Sequence, residues 1–485
     1  MTDPATTPGF PTLPDGFVAV VKRDCPTCEL VAPALGELQQ TSGVTVYSQD
    51  DPGFPGGLAV IDDRDLSVSW HHDIETVPTL IRAENGAEVE RIVGWDRDRW
   101  RAFTAHTTLG EDLSEYSPGC GSLSVDPSLV DELRVRFGGS SVRGRRVEIA
   151  ELEDEFESMF ERGWSDGLPL VPPTEARVTR MLEGTTRAPG DVVAVVPPDL
   201  VECTVEKVAV NAVMAGCRPE YLPVVIGAVE AACTDQFNMH GLLATTMPMG
   251  PVLIVNGPIR QAIGMNSGGN VFGQGNRANL TIGRALQLVV RNIGGGRPGE
   301  VDRAAHGGPG KVSFCFAEDE EGSPWEPLAT DFGVDPGVDA VTLFPGESPK
   351  VIVDQLSRQP ESLTRTLAMS LRAMHHPKLV RGFDVLLAIG PEHSRIYREA
   401  GWTKEQLVDR LHELLVLDGD EMIRGAAGIA EGVPEIMAGT PIPKFRPEGI
   451  RIVHCGGGAG LFSVMIGGWV NGPVGSDPVC QPITP

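Results

Sequence analysis

Basic residues are scarce for the size of the chain. Forty Lys and Arg stand against 66 Asp and Glu in 485 residues, a formal charge of −26. A surface with that balance repels phosphate backbones and anionic lipids, so nucleic acid is excluded as a partner. No apolar run reaches the roughly 18 residues that a membrane-spanning helix needs, so no membrane partner is expected. Met1 to Pro14 has neither a basic start nor an apolar stretch. It reads as a disordered tail rather than a secretory signal, and a cytoplasmic location is the expectation. Nucleotide signatures are missing as well: there is no Gly-Lys-Ser/Thr phosphate loop and no GxGxxG following a strand, so neither ATP nor NAD is assigned.

What is present is an ordinary globular composition, 41% hydrophobic and 22% charged, in a chain long enough for roughly two to four domains. Gly and Pro, 58 and 40 residues, make up about a fifth of it, which favours short elements joined by tight turns and disfavours helical bundles. The nine cysteines are an odd number in a chain of this kind, which argues against a disulfide framework and for thiols with separate fates.

Two of those thiols stand in a pattern. The Val-rich run from Gly16 to Arg23 predicts a strand, and it ends on Asp24-Cys25-Pro26-Thr27-Cys28, which opens the helical pattern ELVAPALGELQQ. A helix N-terminus offers free N–H groups and partial positive charge, both favouring the thiolate of the first and more exposed cysteine. Cys25 is therefore the expected attacking thiol and Cys28 the resolving one. Half of a zinc site is the competing reading, but no second CxxC exists, and no metal ligand is assigned. Further strands are expected at 44–51 and 58–63, then VPTL at 77–80 and a hairpin turning on Asn85-Gly86.

Residues 15–110, with this strand, CxxC, helix order and Pro78 in VPTL, resemble the thioredoxin family. The resemblance implies a thioredoxin-like domain in which Pro78 is a cis-proline facing the dithiol. It also implies an external thiol reductant or thioredoxin reductase as partner. Asp24 departs from the family's usual Trp before the first cysteine, so partner choice does not carry over.

Residues 111–149, rich in Ser, Gly and Pro, read as a linker. Inside it, Cys120 lies between Gly119 and Gly121, a turn-forming context that leaves a sulfur accessible, so Cys120 is a candidate reactive thiol.

Residues 150–485 read as a large α/β region, one or two domains with a mostly parallel sheet and a possible division near 330–340. The stiff loop with Trp164 and Asp166 is a candidate ligand-binding segment. The glycine- and Asn-rich loop before the helix at 278–293, with Gly268, Gly269, Asn270, Gly273, Gly275 and Arg277, suits an anionic small molecule at a helix N-terminus. Candidate chemical groups are Cys217 at a helix end, His240 in a loop, and Glu318, one of four consecutive acids, as a proton donor or acceptor if turned inward. His393 and Cys455 lie at strand ends, where ligands meet open α/β sheets. Cys480 is a thiol of the tail.

Through GWSDGLPLVPPT, TVEKVAVNAVMAGC and the SPW segment, this region resembles long bacterial proteins grouped with the UGSC (seleno)protein family. That family is named for a Sec/Cys-Gly-Ser-Cys motif, whereas Leu123 follows Cys120-Gly121-Ser122 here. The resemblance implies redox character.

The expectation is a thiol-dependent oxidoreductase. In it a redox-active dithiol passes electrons to Cys120, Cys217 or Cys455 of the large region, which acts on a small anionic molecule. The alternative is an acid/base or metal-assisted lyase or hydrolase with a regulatory thioredoxin-like domain. No cofactor beyond the dithiol is assigned, metal content stays open, and a homo-oligomer is compatible with either.

Overall fold

The computed structural model describes residues 11–139, 142–150, 153–425, 428–429, 431–432 and 435–484. It divides into two compact units, Met1–Ser141 and Val142–Pro485. Both mix helices and strands, the α/β class that the sequence pattern predicts.

In the first unit, strand β1 (Gly16–Val21) is buried along its Val-rich length and leads to α1 (Pro26–Thr41). Pro26 suits the first helical turn, where its missing N–H is no loss. There follow β2 (Val44–Ser48), β3 (Val60–Asp62), α2 (Ser67–His71), β4 (Thr76–Val77), β5 (Thr79–Glu84), β6 (Ala87–Val93), β7 (Trp95–Asp96) and α3 (Arg97–Thr104). The sheet order is β3-β2-β1-β5-β6, with the first three strands parallel and β5 and β6 antiparallel. Asn85 and Gly86, at φ +55° and +79°, make the hairpin turn, a geometry that Asn and Gly adopt at little cost.

Residues 111–149 are not a linker throughout. β8 (Tyr116–Ser117) pairs with β7, β9 (Cys120–Gly121) pairs with β4, and α4 (Val130–Gly138) follows, all within the first unit. Ser122 and Ser124 are buried, and the side-chain amide of Gln49 donates to the Ser122 hydroxyl at 2.6 Å. The expected tail is likewise shorter: Leu13 is buried and its N–H donates to the Gly86 carbonyl, while residues 1–10 lie outside the described residues.

The second unit runs α5 (Glu155–Glu161), α6 (Glu175–Leu182), β10 (Val192–Val196), β11 (Val201–Thr204), α7 (Val205–Ala215), α8 (Leu222–Ala232), α9 (Met239–Ala244), β12 (Gly250–Asn256), α10 (Ile259–Ala262), α11 (Arg277–Asn292), β13 (Cys315–Ala317), β14 (Ala340–Gly346) and β15 (Lys350–Val353). It continues with α12 (Pro360–Arg372), β16 (Phe383–Ile389), α13 (Pro391–Glu399), α14 (Lys404–Leu414), β17 (Val416–Asp418), α15 (Gly419–Ile423), β18 (Pro441–Pro443), β19 (Ile450–His454), β20 (Phe462–Val470) and β21 (Val479–Pro482).

Its main sheet is not mostly parallel. The order β13-β12-β14-β20-β16-β19 contains two parallel contacts, β12 with β13 and β16 with β19, and the rest are antiparallel. That order is a palindrome. Each half has a strand followed directly by Gly-Pro (Gly257-Pro258, Gly390-Pro391), then helices, a parallel neighbour and an antiparallel return strand. The halves meet at Gly346 opposite Gly468, where a Cβ on Gly346 would come within 2.8 Å of Ile466 and Val252. One face of both halves shares a core that includes Ile254, Phe316, Phe344, Leu386, Val453 and Ile466. The opposite faces are covered separately: β12 and β14 by α7, α8 and α11, and β16 and β19 by α12 and α14. One sheet runs through both halves, which form a single compact unit, the one-domain alternative of the two that the sequence leaves open.

Candidate thiol site and the fate of the other candidate residues

Strand β1 delivers the chain to Cys25, which is the N-cap of α1: the Cys28 N–H donates to the Cys25 sulfur at 3.3 Å. This is the interaction that a helix N-terminus offers a sulfur anion. The Cys25 thiol donates in turn to the Val77 carbonyl at 3.6 Å. The peptide between Val77 and Pro78 is cis. Expectation and structure part over exposure, because Cys25 is 1% exposed and Cys28 0%. Cys25 is therefore not an open nucleophile. Burial pushes the Cys28 thiol far up, and the backbone contact with Lys22 offsets only part of that.

The cover is the segment that holds Cys120. Strand β9 lies antiparallel to β4 with Cys120 opposite Val77 and Gly121 opposite Thr76. The preceding turn rests on the start of α1, where Thr27 meets the Ser117 hydroxyl at 2.8 Å and donates to the Pro118 carbonyl. Gly119 permits this fit, since a Cβ there would lie 2.3 Å from the Thr76 methyl and 2.9 Å from the Val77 oxygen. Cys120 thus stands beside the carbonyl that the Cys25 thiol reaches, and burial first, then the neighbouring Cys25, raise its pKa. Cys120 remains partly exposed. It belongs to the first unit, not to the large region, and three cysteines separated by up to 95 residues converge on one helix start. All nine cysteines are free thiols. Among the described residues, no three His, Cys, Asp or Glu side chains are grouped as metal ligands would be.

Of the other sulfurs named from sequence, Cys480 is half-buried in β21, paired with Thr342 of β14 rather than lying in a tail, and Cys217 and Cys455 are sealed into the second unit. Cys217 lies in the α7, α8 and α11 core, where burial pushes its thiol up to about 12. Cys455 lies in the core shared by the two sheet halves, where burial and then the nearby carboxylates of Glu318 and Asp319 raise it further.

The histidines divide by surroundings. His240 is exposed on α9. His393 is fully buried, with Nδ1 at 2.8 Å from the Ser463 hydroxyl and Nε2 at 3.1 Å from the Asp354 carbonyl, so both ring nitrogens are engaged.

The glycine loop closes on itself and its neighbours. Gly268 N–H donates to the Asn266 side chain, Gly273 N–H to the Asn270 carbonyl, and Gly456 N–H to the Ser267 carbonyl. A Cβ on Gly457 would reach the Cα of Gly269 at 3.1 Å, so this loop packs directly against the one after Cys455. Gly269, Asn270 and Gly275 are exposed. The α11 N-terminus is capped by Asn276, and the exposed Arg277 donates through Nε–H to the Gly216 carbonyl at 2.9 Å. Arg284 grips Asp166 in a bidentate pair at 2.7 and 2.8 Å and also reaches the carbonyls of Leu168 and Pro169. Burial pushes the Asp166 carboxyl up, the pair with Arg284 pulls it down, and the net shift is downward. Trp164 is half-buried against the same core. The Asp166 loop and α11 are thus joined to each other.

Glu318 is turned inward at the end of β13. It accepts from the Asn256 side chain at 2.7 Å, the Leu328 N–H at 2.7 Å and the His454 N–H at 3.3 Å. Burial outweighs these donors and raises its carboxyl to about 7. Asp319 N–H donates to the His454 carbonyl, so these acids tie the end of β13 to the end of β19. Glu320 and Glu321 pair with buried Arg260.

One feature the sequence did not mark as a site is an open, polar cavity of about 800 Å³ between the Ser323-Pro324-Trp325 segment and the turn from α13 to α14, with Arg398, Trp402 and Lys404 on its wall. The SPW segment and the Trp402 turn are its only sequence signals, and both read equally well as packing.

The chain matches no protein-family model, and no curated protein is similar to it in sequence. Among the described residues, no helix is long and apolar enough to cross a membrane.

Proposed function

We propose that the protein is a thiol–disulfide oxidoreductase whose chemistry resides in the first unit, with Cys25 and Cys28 as the dithiol and Cys120 as a third exchanging thiol. The observation that carries this reading is the convergence of the three cysteines at the start of α1: Cys25 caps the helix, Cys28 lies one turn in, and Cys120 stands opposite Val77, whose carbonyl accepts from the Cys25 thiol. Helix-start donors stabilise a thiolate as it forms, and a second sulfur within reach resolves a mixed disulfide before it is lost to solvent. The sheet order β3-β2-β1-β5-β6, with the CxxC between β1 and α1, supports the resemblance to the thioredoxin family. The sealed positions of Cys217 and Cys455 favour exchange within the first unit over delivery to either of them.

The test is equilibration of the full-length protein across mixtures of reduced and oxidised dithiothreitol, with disulfides mapped by mass spectrometry. The expected result is one reversible two-electron couple, a Cys25–Cys28 disulfide, replaced in the Cys28→Ser variant by Cys25–Cys120. Absence of any reversible disulfide among these three residues would sink the reading.

A further inference from the structure

The two buried sulfurs have no direct route to a large partner. Cys25 and Cys28 are 1% and 0% exposed, and Thr27 between them is 3% exposed. The backbone edge beside Cys25, Thr76–Val77, is the natural place for an extended polypeptide to add a strand. That edge is already filled by the chain's own β9, in register with Cys120 opposite Val77. The cover is well anchored. Besides the strand pair, the Ser122 N–H donates to the Glu75 carbonyl, the Leu123 N–H to the Gln49 side chain, and the Ser124 hydroxyl to the Ile74 carbonyl. On the other side of the turn, β8 pairs with β7. Of the three sulfurs, Cys120 is the one with solvent exposure.

From this placement we infer that Cys120 is the outward port of the site and that its reaction partner is a small-molecule disulfide rather than a docked polypeptide. The inference rests on the dithiol reading above and adds the route and the substrate class. The Cys120 thiolate attacks one sulfur of R–S–S–R, forming Cys120–S–S–R and releasing one RS⁻. Cys25 attacks the Cys120 sulfur, the Cys25–Cys120 bond forms, and the second RS⁻ leaves. Cys28 then attacks Cys25, which yields the Cys25–Cys28 disulfide and returns Cys120 as the thiolate that began the cycle. The small disulfide gains two electrons and becomes two RSH, the dithiol loses two electrons, and the protons of Cys25 and Cys28 end on the two RSH.

The experiment uses the full-length reduced protein in a single turnover with glutathione disulfide as the small probe and insulin as the polypeptide disulfide, quenched with acid and mapped by mass spectrometry. Wild type should show glutathione first on Cys120 and then the Cys25–Cys28 disulfide. Cys120→Ser and Cys120→Ala, both checked for folding by circular dichroism, should form that disulfide at least about ten-fold more slowly, because a buried thiol is reached only through opening of the cover. Insulin should be reduced far more slowly than glutathione disulfide. If the Cys120 variants oxidise at the wild-type rate, the port is wrong while the dithiol stands. Equal rates for insulin and glutathione disulfide would overturn the small-substrate assignment. If wild type forms no Cys25–Cys28 disulfide even with diamide, the dithiol reading falls and this inference with it.

Discussion

Cys120 stands directly opposite Val77 in an antiparallel pair, and the Val77 carbonyl is the group that the Cys25 thiol reaches at 3.6 Å. One backbone position thus aligns two cysteines that lie 95 residues apart in sequence. The third, Cys28, follows from helix geometry alone, since its N–H is within reach of any side chain at the N-cap.

The cover over the dithiol should depend on the missing side chain at Gly119. Gly119→Ala places a methyl against the Thr76 side chain and the Val77 oxygen, both inside contact distance. Overpacking of this kind costs about 1–3 kcal/mol. Gly121→Ala, two residues on, meets nothing within 4 Å and serves as the control. Urea unfolding should separate the two variants by that amount, and iodoacetamide should label Cys25 faster in Gly119→Ala only. Equal labelling in both variants would show that β9 does not govern access to Cys25.

Much of the first unit was legible in sequence because its signals are local. A Val run, a CxxC before an amphipathic stretch, and Asn-Gly between two strands each fix structure within a few residues. Cys120 reads as a candidate reactive thiol, but nothing in the sequence places it beside Cys25, because β8 and β9 are only two residues long and their partners are distant. Exposure was misjudged for the same reason: a helix start is open unless another segment crosses it, and the segment that does so reads as a linker. In the second unit, Glu318 sits among four acids whose pattern reads as a solvated loop, yet its partners Asn256 and His454 come from other strands. The palindromic sheet leaves almost no trace in sequence beyond a shared Gly-Pro. Nothing in the sequence shows the acceptor of Arg277, because the Gly216 carbonyl lies 61 residues away.

The Asp166–Arg284 pair should prove structural. Its side chains are 12% and 13% exposed, which places it between the small worth of surface pairs and the larger cost of breaking a buried one. Asp166→Asn should therefore lower stability by about 2 kcal/mol, and Asp166→Asn with Arg284→Met should recover part of that loss. The sign in pH follows from the downward shift of the Asp166 carboxyl. The stabilisation is present above the unfolded carboxyl pKa and is lost as pH falls through the lower folded value. Denaturant curves of the single and double variants between neutral and acid pH check both statements. Strict additivity of the two substitutions would mean that the pair contributes nothing.

Glu318 should give the opposite pH dependence. Its folded pKa of about 7 lies above the ordinary 4.5, with burial the dominant cause. A carboxyl shifted in this direction favours the folded state at low pH, where it is protonated in both states, and loses that contribution as pH rises from about 4.5 through about 7. The shift corresponds to a change on the order of 3 kcal/mol. Glu318→Gln removes the titration and keeps an oxygen for the Asn256 and Leu328 donors, although its amide then faces the His454 N–H. The variant should be less stable than wild type near pH 5, and the gap should narrow or reverse by pH 8. Urea unfolding at intervals across that range measures the gap directly. A gap that stays constant from pH 5 to pH 8 would mean that the three donors already hold Glu318 ionised and that burial does not dominate.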